Sequence, residues 1–579
     1  MPNFFEDNGD LKFNLEWLDL SKVVELREKG FTEPERYDYA PADHEDALDT
    51  YRRVLSLVGD IAGNFIEPRA EAVDLEEAQY EDGKVHYPKG IAEAIERLAK
   101  ADLMGFTLPR RYDGLNMPTV LYSMAIEMVS RADAGLMTIF GLQDIAETIH
   151  DFADDEIKAE YLPRFSSGEV TGAMVLTEPD AGSDLQAVMT TATPPPDGDD
   201  KGVWRINGVK RFITNGCGDV LLVMARSEPG TRDGRGISLF VVEQGEGVRV
   251  RRIEHKLGIH GSPTCEIQFT NAPGKLIGKR KRGLTTYVMA LMNGARLAIA
   301  AQGLGVAEAA YRAALGFAQD REQFGKPIIE FPAVYEILTD MQTNIEAARA
   351  LIYDTGVIVD LEKLYAEKLA AMDRNAPEYD DMRTTQRRMA KFAKTLTPMS
   401  KFFACEVANK VASDAIQVHG GSGYMRDYPV ERYFRDARIT NIYEGTSQLQ
   451  VVAAIGCVLA GDIDERFAEF RNDEYQKPLG VLAKKLERML ERLAKCVAYV
   501  KNKDNREYTD FHARRIVEIA TDAYIGYLLL RQAKRKPEKQ YTAKNFITRA
   551  AVRADANARL VTSGDQTLLR KHRAMLGLT

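Results

Sequence analysis

Apolar residues recur at helical spacing through the first third of the chain, at Leu55, Val58, Ile61 and Ile66, and again at Ile91, Ile95, Leu98 and Leu103. This pattern predicts a helical domain over 41–168 behind an N-terminal extension, 1–40. The segment LPRRYDGLN, Leu108 to Asn116, interrupts it with Pro and Gly, as a loop would. Near Glu169 the texture changes. VTGAMVL, VWRI, VKRFIT, VLLVMARS, ISLFVVE, VRVRRIE and CEIQF are short β-rich runs separated by Gly, Pro, Asn and Asp, and they predict a β domain, barrel or sandwich, over 169–280. Within it Asn207-Gly208 predicts a two-residue hairpin turn, because both positions of that turn need positive φ. PPPDGDDKG, Pro194 to Gly202, reads as a solvated loop.

Helical periodicity returns from Leu284 and lasts to the end of the chain. The Ala- and Gly-rich run MNGARLAIAAQGLGVAEAAYRAALGFAQD predicts a buried helix that neighbours approach closely, at the heart of a bundle domain over 281–460. The more polar stretch Lys363 to Arg388 looks like an extension of a helical hairpin. Beyond Gly461, Leu479, Leu482, Leu486, Leu490, Leu493, Val497 and Val500 form an apolar stripe, and VEIATDAYIGYLLL begins a second strong helix. A C-terminal helical domain over 461–579 follows, docked on the rest. The fold class is α+β: helical N-terminal domain, middle β domain, helical bundle and an additional helical domain.

Composition narrows the function. At 579 residues, with 45% hydrophobic and 28% charged residues, the chain has the make-up of a globular protein of three or four domains. Its longest apolar runs, such as Ala298 to Ala301 and Tyr527 to Leu530, predict no membrane crossing. The net charge of -9 argues against a nucleic-acid protein. From Gly461 onward, however, Lys and Arg outnumber Asp and Glu, with RQAKRKPEK at Arg531 to Lys539; this reads as a solvated helix face, with an anionic partner as the sharper alternative. The N-terminus carries acids early and shows no targeting pattern, so a cytoplasmic location is expected. Five widely spaced cysteines without CxxC predict free thiols, and eight histidines without HExxH predict no metal site.

Candidate chemistry begins at IYEGTSQLQ, Ile442 to Gln450. It sets the carboxylate of Glu444 between Tyr443 and a Gly445-Thr446 turn. Alone, Glu444 reads as a solvated acid ahead of a helix capped by Thr446. Three further segments change that reading: LTEPDAGSDLQA at Leu176 to Ala187, DREQFG at Asp320 to Gly325, and QVHGGSGY at Gln417 to Tyr424. Together, in this order, the four resemble the acyl-CoA dehydrogenase family of flavoproteins over roughly residues 50 to 460. The bundle extension and the C-terminal domain resemble its longer bacterial subgroup.

The resemblance implies FAD as cofactor and an acyl-CoA thioester as substrate, with Glu444 as the base that removes the α proton. In some relatives the base lies where this chain has Ala295, which leaves Glu444. Met174, Leu176, Thr177, Gly182 and Ser183 would meet the flavin, its pyrophosphate or the substrate. Phe212 and Thr214 would shelter a flavin face and bond near N5; many relatives have Trp in place of Phe212. Arg321, Gln323 and Phe324 would reach the adenosine diphosphate half of FAD in a neighbouring subunit, with Gln417, Gly420 and Gly421 completing that site from the other chain. Thr446 and Gln448 belong to the same cofactor set, and Arg296, Tyr443 and Gly445 to the substrate set. Relatives commonly have Phe-Gln where this chain has Phe331-Pro332, so any contact made by that Gln is lost. The implied electron acceptor is electron-transfer flavoprotein, and the implied assembly a homodimer, with a tetramer as the alternative. The rival readings are an acyl-CoA oxidase and a flavin-containing DNA-binding relative.

Overall fold

Residues 2–578 are described by a computed structural model. The N-terminal extension is ordered: Asn8 caps the helix Gly9–Trp17 by accepting the N–H groups of Asp10 and Leu11, and Ser21–Arg27 follows. Phe4, Phe5, Leu11, Leu15 and Val24 join the core of the helical domain behind them. That domain runs through His44–Asp60, Lys89–Ala99, Thr119–Ala132, Ala134–Gly141, Asp144–Phe152 and Asp155–Ser167. The expectation of helices alone misses one small hairpin, Gln79–Glu81 with Lys84–His86. Thr119–Ala132 is buried almost all round, which its near-absence of charge anticipates.

The β domain is one seven-stranded sheet that closes on itself, because Val220–Arg226 pairs with Gly172–Val175, Thr191–Thr193 and Ile237–Glu243. Every residue of Val220–Ala225 is buried, with helices on one face and the barrel interior on the other, so the strand reads as a continuous apolar run. Asn207-Gly208 is not the predicted turn. Trp204–Thr214 is a single strand, and both halves pair with Thr264–Leu276 across a register shift at Ile206/Gly208. A Cβ on Gly208 would lie 2.4 Å from Thr190 Oγ1, and Asn207 bonds Asn271 across the pair. The residues that suit a tight turn here serve a bulge pressed against a neighbouring strand.

Met289–Asp320, Pro332–Ala371 and Tyr379–His419 form the body of the bundle. Gly305 marks the close approach expected of the first: a Cβ there would lie 2.3 Å from the Glu127 carbonyl oxygen. By length and composition Gly283–Asp320 is apolar enough to cross a membrane, and its place at the centre of the bundle accounts for that composition.

The C-terminal helices Leu479–Lys503, Arg506–Arg535 and Gln540–Thr562 share one core with the bundle, where Leu351, Phe392 and Met399 meet Leu486, Leu528 and Phe546. The basic run is not uniformly solvated. Arg531 bonds Asp473 at 2.5 Å, and Lys539, 7% exposed, reaches Asp10 at 2.5 Å and Glu346 at 2.8 Å. Asp10 also meets the fully buried Arg349 at 2.6 Å, which bonds Glu127 at 2.6 Å and Glu308 at 2.8 Å. One charge network thus joins the N-terminal extension, the helical domain, the bundle and the C-terminal helices. A buried ion needs such partners, because isolated it would cost several kcal/mol.

A second charged junction joins the β domain to the helices. Asp436 accepts the Ile259 N–H at 2.5 Å, while His260 pairs with Asp74 at 2.9 Å and Arg435 reaches Asp74 at 2.6 Å. Burial pushes Asp436 up to about 7, and the Asp74 carboxylate pushes His260 up to about 9. Both groups hold their protons more tightly folded than unfolded, so their stabilisation is present below 3.8 and 6.5 and is lost as pH rises through about 7 and about 9. The melting temperature should therefore fall between pH 6 and pH 9, and Asp436→Asn, which keeps the neutral form, should shrink that fall; an unchanged difference between the two pH values would exclude the junction as its source.

Candidate active site

Three domains meet at a cavity of about 50 Å³. Met137, Gly141, Leu142 and Asp144 form its wall from the helical domain, Met174 and Thr214 from the β domain, and Ala295, Ala298, Ile299, Tyr443 and Glu444 from the bundle. Two larger clefts, each about 680 Å³, lie elsewhere; one, between the N-terminal extension and the bundle, is lined by Arg27, Glu147 and Lys363. Residues predicted from three separate segments share the small cavity, which makes it the chemically informative one.

Glu444 has φ +53° and Gly445 φ +90°. A glutamate in this left-handed region costs roughly 1–3 kcal/mol and persists only where its surroundings hold it. Here they do. Lys401 Nζ donates to the carbonyl oxygens of Thr440 (3.1 Å), Tyr443 (2.7 Å) and Gly445 (2.6 Å), and Gln450 Nε2 donates to those of Glu444 (3.1 Å) and Gly445 (2.9 Å). The Tyr443 hydroxyl bonds Gln302, whose amide donates to the Ala134 carbonyl oxygen at 2.9 Å. Thr446 caps the next helix, Ser447–Ala460, and Gln448 points from its first turn to the surface. Burial raises the pKa of Glu444, and the charges of Lys401 and Arg296 pull it part of the way back.

Arg296 is 8% exposed. Its Nη1 donates to Asn293 Oδ1 at 3.0 Å, and its Nε has no partner among the described residues. Burial pushes it down and Glu444 raises it again. A buried guanidinium with a free donor suits a ligand oxygen. Sequence reasoning missed Lys401, Gln450, Gln302 and Asp144. The signal for two of them was a polar residue inside an apolar run, Lys401 in TPMSKFFAC and Gln302 in AIAAQGLG.

On the β side the predicted residues divide. Met174 and Thr214 line the cavity; Leu176 is buried, and its carbonyl oxygen accepts Lys210 Nζ at 2.9 Å. Lys210, pushed down to about 8 by burial, pairs with Glu178, whose carboxylate takes the N–H groups of Met189 and Thr190. This brace leaves Thr177 half-buried and Gly182 and Ser183 exposed. Phe212 sits at φ +60° in a strand bulge, 52% exposed, with Arg211 over its ring. A large apolar side chain held outward at a strained position suits a flat ligand laid against the sheet.

Arg321, Gln323 and Phe324 stand at the opposite end of Met289–Asp320. The 25 helical steps from Ala295 to Asp320 span about 37 Å, further than one dinucleotide reaches from the cavity. There the chain is open: Phe324 is 95% and Tyr424 82% exposed, Arg321 makes no ion pair among the described residues, and Gly420 and Gly421 have free space where a Cβ would project. Gln417 is exposed beside them, and His419 packs on Phe317 with ring centroids 4.2 Å apart. The two segments therefore adjoin within one chain, joined by the packing of His419 on Phe317. An exposed arginine, open glycine backbone and aromatic surface form a donor set for phosphate and an adenine ring.

Family models match in register with this architecture: acyl-CoA dehydrogenase N-terminal domain over 49–169, middle domain over 173–272, C-terminal domain over 282–454, and a further acyl-CoA dehydrogenase C-terminal model over 460–563. The chain is 35% identical over 458 residues to 3-methylmercaptopropionyl-CoA dehydrogenase of Ruegeria pomeroyi, covering 73% of this chain and 74% of that one. Butyryl-CoA dehydrogenase from Megasphaera elsdenii superposes with a TM-score of 0.60 at 30% identity, covering 71% of this chain and 98% of that chain. An acyl-CoA dehydrogenase from Bacillus anthracis, complexed with FAD, shares the fold over 89% of this chain and 88% of its own, with a TM-score of 0.75 at 23% identity. The chain belongs to the acyl-CoA dehydrogenase family, whose members are FAD-dependent oxidoreductases.

Proposed function

We propose that the protein converts an acyl-CoA thioester to its trans-2-enoyl-CoA, with Glu444 as the base. The observation that carries this reading is the cavity shared by Glu444, Met174 and Thr214, with Ala295 in its wall where a second carboxylate would otherwise compete. Glu444 takes the proton from the carbon α to the thioester. Burial makes it a stronger proton acceptor than a free glutamate, and the nearby charges of Lys401 and Arg296 favour its ionised form before reaction. The Glu444 backbone N–H and the buried Arg296 oppose the negative charge that grows on the thioester oxygen. Tyr443 and Gly445 would frame the substrate, with Ser183 as a further contact. When bound, FAD supplies the acceptor for the hydride that leaves the β carbon.

Met174, Leu176, Thr177, Gly182, Ser183, Phe212 and Thr214 would hold the flavin half of FAD, where Phe212 would help to exclude water, with Thr446 and Gln448 in the same set. Arg321, Gln323, Phe324, Gln417, Gly420 and Gly421 of a second chain would hold the other half. This supports a homodimer as the working unit, built from the segments 1–40, 41–168, 169–280, 281–460 and 461–579. Electron-transfer flavoprotein is the acceptor in this reading. Free thiols at all five cysteines suit a reducing cytoplasm.

Glu444→Gln should keep FAD and acyl-CoA binding while anaerobic flavin bleaching slows by roughly a hundredfold or more, the usual cost of deleting a proton acceptor. Bleaching at near wild-type rate would remove Glu444 from the base role. Arg321→Ala should weaken FAD retention and dimer stability together, because a ligand shared by two chains couples the two equilibria. An FAD-replete monomer on gel filtration would rule out the shared site.

A further inference from the structure

Resting on the reading of Glu444 as base, we propose that Lys401 is a positioning residue for it, fixing the Tyr443–Gly445 turn through three carbonyl oxygens and setting, by its charge, the pH range in which Glu444 accepts a proton. Lys401 lies inside the helix Tyr379–His419 and is 1% exposed. An ammonium has three protons to donate, and here all three have acceptors: the carbonyl oxygens of Thr440, Tyr443 and Gly445 at 3.1, 2.7 and 2.6 Å. Two of these carbonyls flank Glu444 in the chain, so the positive φ of Glu444 is the conformation in which both turn toward one cation. With its donors used up, Lys401 forms no ion pair with the Glu444 carboxylate; its influence is positional and electrostatic.

The titratable groups around Glu444 come from several elements. Arg296 belongs to Met289–Asp320 and Lys401 to Tyr379–His419, where Cys405 faces Lys401 and Tyr443; Asp144 stands across the cavity, and Tyr443 adjoins on the same turn with Asp436 beyond it. Only Lys401 and Arg296 draw the proton affinity of Glu444 down against the effect of burial. Burial lowers the pKa of Lys401 itself, and Glu444 opposes that, so each ion favours the other. Gln450, which bonds two carbonyls of the same turn without carrying charge, supplies the natural contrast.

The test is the pH profile of anaerobic flavin bleaching by a short-chain acyl-CoA, measured on the FAD-loaded full chain. Lys401→Gln should lose roughly tenfold or more at the acidic end, a deficit that shrinks as pH rises, because removing the cation raises the proton affinity of the base. Gln450→Leu should lower the rate by one factor at all pH values. If Lys401→Gln lowers the rate uniformly, as Gln450→Leu does, Lys401 is structural only and the proposal fails. If Lys401→Gln does not fold, Lys401→Arg decides: the charge is kept, so an acidic limb at the wild-type position with a lower plateau supports the proposal, and a displaced limb overturns it. Glu444→Gln, run alongside, separates the two ideas, since bleaching by that variant would sink the base assignment whatever Lys401 does.

Discussion

A carboxylate that is to take a weakly acidic proton, as proposed for Glu444, must be shielded from water and yet remain ionised, and the surroundings of Glu444 bear on both demands. Glu444 lies at the junction of three domains, on a turn of positive φ. Burial raises its proton affinity. Two cations beside it, Lys401 and Arg296, pull that affinity part of the way back without forming hydrogen bonds to the carboxylate. That leaves the carboxylate oxygens free for the substrate proton. The same constraint explains why the turn is braced by Lys401, Gln450 and Gln302 on separate helical segments: a base poised by distant charges works only if it cannot drift.

The wider fold applies the rule on a larger scale. Arg349 is fully buried and is met by carboxylates from three segments, Asp10, Glu127 and Glu308. Asp10 is in turn shared with Lys539 of the C-terminal helices. The N-terminal helix thus supplies the counter-charge that lets the C-terminal domain and the bundle share one core. Deleting one member of such a network leaves the rest as unpaired buried charge, which costs more than the lost bond.

How much of this was legible depended on the distance over which each feature is determined. Helices and strands were readable because apolar periodicity is local, and the segments around Glu444, Leu176, Arg321 and Gln417 because each packs its chemistry into a few consecutive residues. Asn207-Gly208 misled because turn propensity is also local, whereas its role as a bulge depends on Thr190, just ahead of the strand Thr191–Thr193, pressing on Gly208. Lys401 finds its acceptors 39 to 44 residues away, so its neighbours in the sequence show a lysine set in an apolar run but not the turn it serves. Lys539 looked like part of a solvated basic run for the same reason, its partner Asp10 lying at the other end of the chain. The separation of Arg321 from the cavity became clear only once Met289–Asp320 was seen as one unbroken helix.

The central claim is that Glu444 is a partly buried base whose proton affinity is raised above that of an ordinary glutamate. Anaerobic flavin bleaching by a saturating acyl-CoA, followed by stopped flow across the acidic pH range, measures this directly. The rate should fall along a single acidic limb whose midpoint lies above 4.5, the ordinary glutamate value, and the limb should vanish in Glu444→Gln. A midpoint at or below 4.5, or a limb that persists in Glu444→Gln, would contradict a raised Glu444 as the proton acceptor.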